Sequence, residues 1–137
     1  MATVNVLIFE EDRGLLNLYG RALNKAGYQV KLADSVARAR QALDEQRFDI
    51  FLCDLEAEDI GGVELLERQR SVLKANGTQV IMMALDRECM MRASRSNPDF
   101  FKTKPPSPSS LVMLLNGLCD MRCSEEVEAT PASAQAS

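Results

Sequence analysis

The chain of 137 residues contains no histidine. Without an imidazole, histidine general acid–base catalysis and a role as phosphohistidine donor are both excluded. There is no CxxC pair either: Cys53 and Cys89 stand alone, and Cys119 and Cys123 are four apart, sharing a face if helical. A zinc site would need all four thiolates from scattered elements, so buried or surface thiols are the plainer reading. No apolar run approaches the ~20 residues that cross a bilayer, and Met1-Ala2-Thr3 lacks the basic and apolar regions of a secretory signal. A cytoplasmic, membrane-free location is expected. A basic surplus is missing too: the formal net charge is −4, whereas nucleic-acid binding needs a surface that neutralises phosphates. Arg38, Arg40, Arg92 and Arg95 are scattered and read as solvated helix faces. Nor does GxGxxG follow the first apolar run, where Glu10-Glu11-Asp12-Arg13-Gly14 stands, which removes a dinucleotide site.

What remains is 46% hydrophobic and 26% charged, ordinary for one soluble domain with a sizeable core. Val4 to Phe9 is a β-branched and apolar run, and the apolar residues from Gly14 to Ala26 recur at helical spacing, with Gly27 placed as a C-cap would be. Tyr28 to Leu32 reads as a second strand, Ser35 as the N-cap of a helix carrying Val36, Ala39 and Leu43 inward to about Gln46. Asp49 to Cys53 is a continuous apolar strand suited to a sheet covered on both faces. Gly61-Gly62 reads as a break, followed by a helix over Val63 to Ala75 with Leu65, Leu66, Val72 and Leu73 as its apolar stripe, and a strand at Val80 to Met83. A short helix at Glu88 to Arg95, a brief strand at Phe100-Phe101 and a last helix capped by Ser109 and bearing Leu111, Leu114, Leu115 and Leu118 complete the ordered sequence. Five strands alternating with five helices require parallel pairing and right-handed crossovers, hence a three-layer α/β sandwich. From Ser124 the composition turns to Glu, Ala, Ser, Thr, Pro and Gln, so the expected division is a domain over 1–123 and a disordered tail or linker over 124–137.

Three of the strands end in charge: Glu10-Glu11-Asp12, Asp54, and Lys104-Pro105. In an open parallel sheet, ligands bind outside the carboxyl ends of the strands, so these groups can share one site. A carboxylate, an acidic cluster and a lysine suit phosphoryl chemistry. Each also has a bland reading: Asp54 as a turn or N-cap residue, Glu10, Glu11 and Asp12 as anions at a helix N-terminus, and Lys104 as an ordinary loop lysine held extended by Pro105.

On these residues the sequence resembles the response-regulator receiver domain of two-component signalling, over roughly residues 4 to 119. The family pattern of an acidic pair, an acceptor Asp, a Ser or Thr, and Lys-Pro after the first, third, fourth and fifth strands falls here on Glu10-Glu11, Asp54, Ala84 and Lys104-Pro105. The resemblance implies a flavodoxin-like fold with a five-stranded parallel sheet in the order 2-1-3-4-5. It implies Asp54 as phosphoacceptor, Mg²⁺ held by Glu10, Glu11 and Asp54 with waters, Lys104 as a point charge on phosphoryl oxygen, and Ala84 and Phe101 at the switch positions. A histidine kinase or phosphotransfer protein is the implied donor, and an output domain or downstream protein is the implied partner of the fourth-helix, fifth-strand, fifth-helix face. A second copy of the chain is a further candidate partner. Any catalysis would be limited to Mg²⁺-dependent self-phosphorylation and dephosphorylation.

The departures from the family point to a degenerate receiver that docks partners independently of phosphorylation. Glu11 replaces the usual Asp and carries its carboxylate one methylene further out, and Ala84 cannot donate the hydrogen bond that a hydroxyl there makes to phosphate. Glu56, Glu58 and Asp59 add negative charge that opposes an anionic donor. Phe101 lacks a phenolic hydroxyl, and a shortened segment between Ala84 and Lys104 implies a remodelled partner face. Around it lie Met82, Met83, Met90 and Met91, which read as adaptable core filler or as an exposed docking patch. A haloacid-dehalogenase-like hydrolase is disfavoured, because Glu56 stands where its second Asp is needed and the chain is too short for a cap.

Overall fold

Short apolar runs alternate with amphipathic stretches along this chain, and the backbone follows that alternation. The computed structural model describes residues 3–54, 61–84, 91, 99–103 and 106–120. In chain order the elements are β1 (Asn5–Phe9), α1 (Arg13–Lys25), β2 (Gln29–Ala33), α2 (Val36–Glu45), β3 (Ile50–Asp54), α3 (Gly61–Asn76), β4 (Gln79–Ala84) and β5 (Phe100–Thr103), with a further helix at 108–120. All strand pairs are parallel, and the five strands form one sheet in the flavodoxin-like order β2-β1-β3-β4-β5.

Alternation along the strands divides the core into two layers. Leu7, Phe9, Phe51, Cys53, Val80, Met82 and Ala84 point to one face, against Ala39 and Leu43 of α2 and Leu65, Leu66 and Leu73 of α3. Val6, Ile8, Ile50, Leu52, Ile81 and Met83 point to the other, against Leu16, Tyr19 and Leu23 of α1 and Leu111, Leu115 and Leu118 of the 108–120 helix. Every residue of β3 is buried, as its unbroken apolar run requires of a central strand covered on both faces. At the edge, β2 is largely exposed and carries Lys31, a charge that discourages further strand pairing. Met82 and Met83 are fully buried core residues, whereas Met91 is helical and 69% exposed.

Local signals account for most of the helix ends. The Asp12 side chain accepts from the Leu15 N–H, and that of Ser35 accepts from the Arg38 N–H. Gly27 has φ of 102°, the left-handed turn after α1 that glycine takes without a Cβ penalty. Four expectations change. Tyr28 precedes β2, which begins at Gln29. Gly61 and Gly62 lie inside α3. Val72 is 42% exposed, because the buried stripe of α3 runs through Leu65, Leu66, Gln69 and Leu73 and leaves Val72 on its flank. Finally, the last helix is capped by Ser107, whose Oγ accepts from the Ser110 N–H at 3.1 Å, while Ser109 lies within it. Pro108 explains the shift: it suits the first helical position, where its missing N–H has no intrahelical partner to lose. The helix expected at Glu88 to Arg95 lies outside the described residues apart from Met91, as do Cys89, Cys123 and the 124–137 segment.

The revised cap is testable by urea denaturation. Ser107→Ala should lower the unfolding free energy by ~0.5–2 kcal/mol, whereas Ser109→Ala should change it by less than ~0.5 kcal/mol.

Candidate functional site

Strand register builds the centre of the site. Phe9 of β1 lies opposite Cys53 of β3, so the next residues, Glu10 and Asp54, fall side by side at the C-terminal rim of the sheet. Both carboxyl side chains are buried, each residue being only 1% exposed. Burial of such groups is costly unless hydrogen bonds replace water. The turn between β1 and α1 supplies two: the Glu11 N–H donates to Asp54 Oδ2 at 3.3 Å, and the Asp12 N–H donates to Glu10 Oε2 at 3.0 Å. On the outer side the Glu10 N–H donates to the Ala33 carbonyl at 3.1 Å, extending the β1–β2 ladder by one rung.

The run Glu10-Glu11-Asp12 therefore divides into three tasks. Glu10 turns inward beside Asp54, Glu11 is exposed and presents its backbone N–H to Asp54, and Asp12 caps α1 with its Oδ1 3.0 Å from the Leu15 nitrogen. The reading of these residues as anions at a helix N-terminus fits Asp12, which caps α1, and does not account for buried Glu10. At the end of β4, Ala84 is fully buried in the Phe51–Cys53 layer, one residue beyond Met83, the partner of Asp54 in register. Phe101 sits in β5 level with Met82. Lys104, Pro105, Glu56, Glu58 and Asp59 lie outside the described residues, as does the side chain of Phe101.

Two features escaped the sequence reading. Asp34, just beyond β2, binds Arg13 Nε at 3.1 Å and Arg38 at 3.2 Å, clasping the first turns of α1 and α2 at the acidic rim. The Asp34–Arg38 pair has i,i+4 spacing and was legible; the Arg13 partner is set by tertiary structure alone. Asp49, which opens the same apolar run that Asp54 closes, lies at the opposite end of β3 and accepts from the Asn5 N–H at 2.9 Å beside Arg47 at 3.0 Å.

Among the described residues no cluster of three His, Cys, Asp or Glu side chains suits a metal ion. Buried Glu10 and Asp54 nevertheless offer hard oxygen donors at one rim, the kind of set that suits Mg²⁺, which binds through one or two carboxylates and keeps several waters. Cys53 is no rival nucleophile. Its thiol alternates into the opposite layer, and burial pushes its pKa far above the ordinary thiol value, with the Asp54 charge adding to the shift.

The response-regulator receiver domain model matches residues 6–116. The chain belongs to this family. Receiver domains interact with histidine kinases or phosphotransfer proteins and generally bind Mg²⁺ at the phosphorylation site. Transcriptional regulatory protein GlrR of Escherichia coli K12 is 26% identical over 114 residues, covering 82% of this chain and 25% of GlrR. Sporulation initiation phosphotransferase F of Bacillus subtilis is 28% identical over 95 residues, 69% of this chain and 76% of that protein. A CheY-like receiver domain protein from Methanospirillum hungatei superposes with a TM-score of 0.77 at 24% identity, covering 90% of this chain and 99% of that one. This chain thus spans about a quarter of the length of GlrR. No helix among the described residues is long and apolar enough to cross a membrane.

The state of Cys53 sets a pH dependence. A thiol with a raised folded pKa holds its proton in the native state while the unfolded chain releases one, so its contribution to stability is intact below about pH 9 and declines as pH rises beyond that value. Iodoacetamide should leave Cys53 unmodified in the native protein at pH 8 and label it only in urea, as read by peptide mass spectrometry.

Proposed function

We propose that this receiver domain accepts a phosphoryl group on Asp54 from a histidine kinase or phosphotransfer protein. The observation that carries the reading is the buried pair of Glu10 and Asp54 at the carboxyl rim, with a backbone N–H from the intervening turn on Asp54. In the transfer, a carboxylate oxygen of Asp54 forms a bond to phosphorus as the donor's phosphorus–nitrogen bond breaks. The electron pair of that bond stays on the donor imidazole nitrogen, which takes a proton from solvent. Burial in a low-dielectric rim strengthens every fixed dipole and charge around the reacting oxygens.

Glu10 and Asp54, the two buried carboxylates at the rim, would hold Mg²⁺ together with waters, and the ion would neutralise charge on the transferring group. Lys104 supplies a second positive charge to the phosphoryl oxygens. Residues 1–123 are the receiver unit and 124–137 a tail or linker, acting in the cytoplasm. The unit is not a dedicated enzyme, and its chemistry is limited to its own phosphorylation and dephosphorylation. Its output runs to a separate domain or protein through the face that carries β5 and the 108–120 helix.

A second reading is favoured by Ala84, which is buried at the end of β4 and has no hydroxyl to donate. On that reading the domain docks its partner without phosphorylation.

Incubation with acetyl phosphate and Mg²⁺ should add one phosphoryl group by intact-mass measurement, and Asp54→Asn should add none. Absence of any gain in the unmodified protein, together with no response to beryllofluoride and Mg²⁺, removes the acceptor reading. Partner binding that survives Asp54→Asn unchanged then supports the docking reading.

A further inference from the structure

The end of the sheet away from Asp54 carries a cavity of about 260 Å³, set between α3 and the starts of β4 and β5. Thr78 and Val80 flank the first residue of β4 and Asp99 immediately precedes β5, whereas Asp54 and Ala84 close their strands at the carboxyl rim. Along β4 the two ends lie about 13 Å apart. The cavity is therefore no extension of the carboxylate pair. Its volume falls just below the roughly 300 Å³ at which ordinary ligand pockets begin, which suits a small molecule.

The chemistry differs around its wall. Leu66, Leu73 and Val80, buried members of the core layer under α2 and α3, supply an apolar floor. On the α3 side stand Arg70 and Lys74, exposed and four residues apart, so that they share one face of the helix. On the strand side stands Asp99. Its backbone N–H donates to the Val80 carbonyl at 3.0 Å and its Oδ2 accepts from the Val80 N–H at 2.7 Å, which fixes the carboxyl group against β4. A carboxylate has about four acceptor positions, so this one has capacity left for a ligand donor. Arg70 and Lys74 each carry several N–H donors that an anion can share. The hydroxyl of Thr78 is committed to the Phe48 carbonyl at 2.6 Å and adds no donor. A plain anion entering the cavity would meet the charge of Asp99, and a plain cation would meet the two basic side chains. A molecule bearing both charges finds a partner for each.

We propose that this cavity binds a small aliphatic amino acid: its carboxylate on Arg70 and Lys74, its ammonium on Asp99, and its side chain over Leu66, Leu73 and Val80. The site is independent of the acceptor reading, since nothing in it requires Asp54 to be phosphorylated.

The test is a heteronuclear NMR titration with L-leucine as the probe, following the amides of Thr78 and Val80. Saturable shifts should give a Kd of about 0.1–1 mM, the range open to so small a ligand. Isocaproate, which lacks only the ammonium, and isopentylamine, which lacks only the carboxylate, should each bind about tenfold more weakly or worse, the worth of a charge-assisted hydrogen bond. Arg70→Gln and Asp99→Asn should each weaken L-leucine by about tenfold; asparagine at 99 keeps an oxygen for the Val80 N–H. Arg68→Gln removes the same charge from a residue of α3 that pairs with Glu64, and should leave the Kd unchanged. No saturable shift with L-leucine overturns the proposal, as does equal binding of isocaproate or isopentylamine, or a Kd indifferent to Arg70→Gln. If Asp99→Asn loses the native amide spectrum, Arg70→Gln decides alone, because that side chain is exposed and its loss leaves the core intact.

Discussion

The parallel pairing of β1 with β3 is the constraint from which the site follows. With Phe9 level with Cys53, alternation sends both of those side chains into one apolar layer and turns the next pair, Glu10 and Asp54, toward the other at the rim. A slip of one residue would place a carboxylate inside the Phe51 and Met82 layer, so the apolar pattern of the two strands and the acidity of the rim enforce the same register. The sheet accordingly tolerates two buried carboxylates because they sit where the ladder ends and backbone N–H groups of the following turn are still unused.

That arrangement explains how α1 participates without contributing a side chain to the centre. The turn that leads into it, at Glu11 and the cap residue Asp12, offers N–H groups that no helical carbonyl accepts, and these are spent on Asp54 and Glu10. The helix then needs its own cap, which Asp12 provides. Three consecutive acidic residues thus meet three separate requirements, one in the interior, one at the surface and one at the helix end.

Parallel pairing, layer count and most helix ends were legible because they rest on local chemistry: period-two and helical spacing of apolar residues, Ser35 as a cap, Gly27 at a positive φ; the strand order followed only from the family resemblance. The convergence of Glu10 and Asp54 was legible in outline, since charged strand ends of a parallel sheet gather at one rim. That Glu10 would be buried and Glu11 exposed was not, because adjacent glutamates are indistinguishable until the register assigns each a side. The Ser107 cap was missed by weighing serine alone; the Ser107-Pro108 dipeptide held the stronger signal. Val72 looked like a core residue because apolar character is counted from sequence, whereas the polar Gln69 occupies the buried stripe of α3. The Arg13 link to Asp34 could not be read in advance, since its partner is distant in sequence and no local pattern marks it.

The Asp34 clasp has a mechanical meaning. α1 packs on one face of the sheet and α2 on the other, so the carboxylate that grips Arg13 and Arg38 stitches the two outer layers together around the exposed β2 margin. Because both guanidinium groups are largely in solvent, ionic strength screens this stitch far more than it does the interior of the sheet. Salt concentration is therefore a dial on how stiffly the first turns of the two helices move as one.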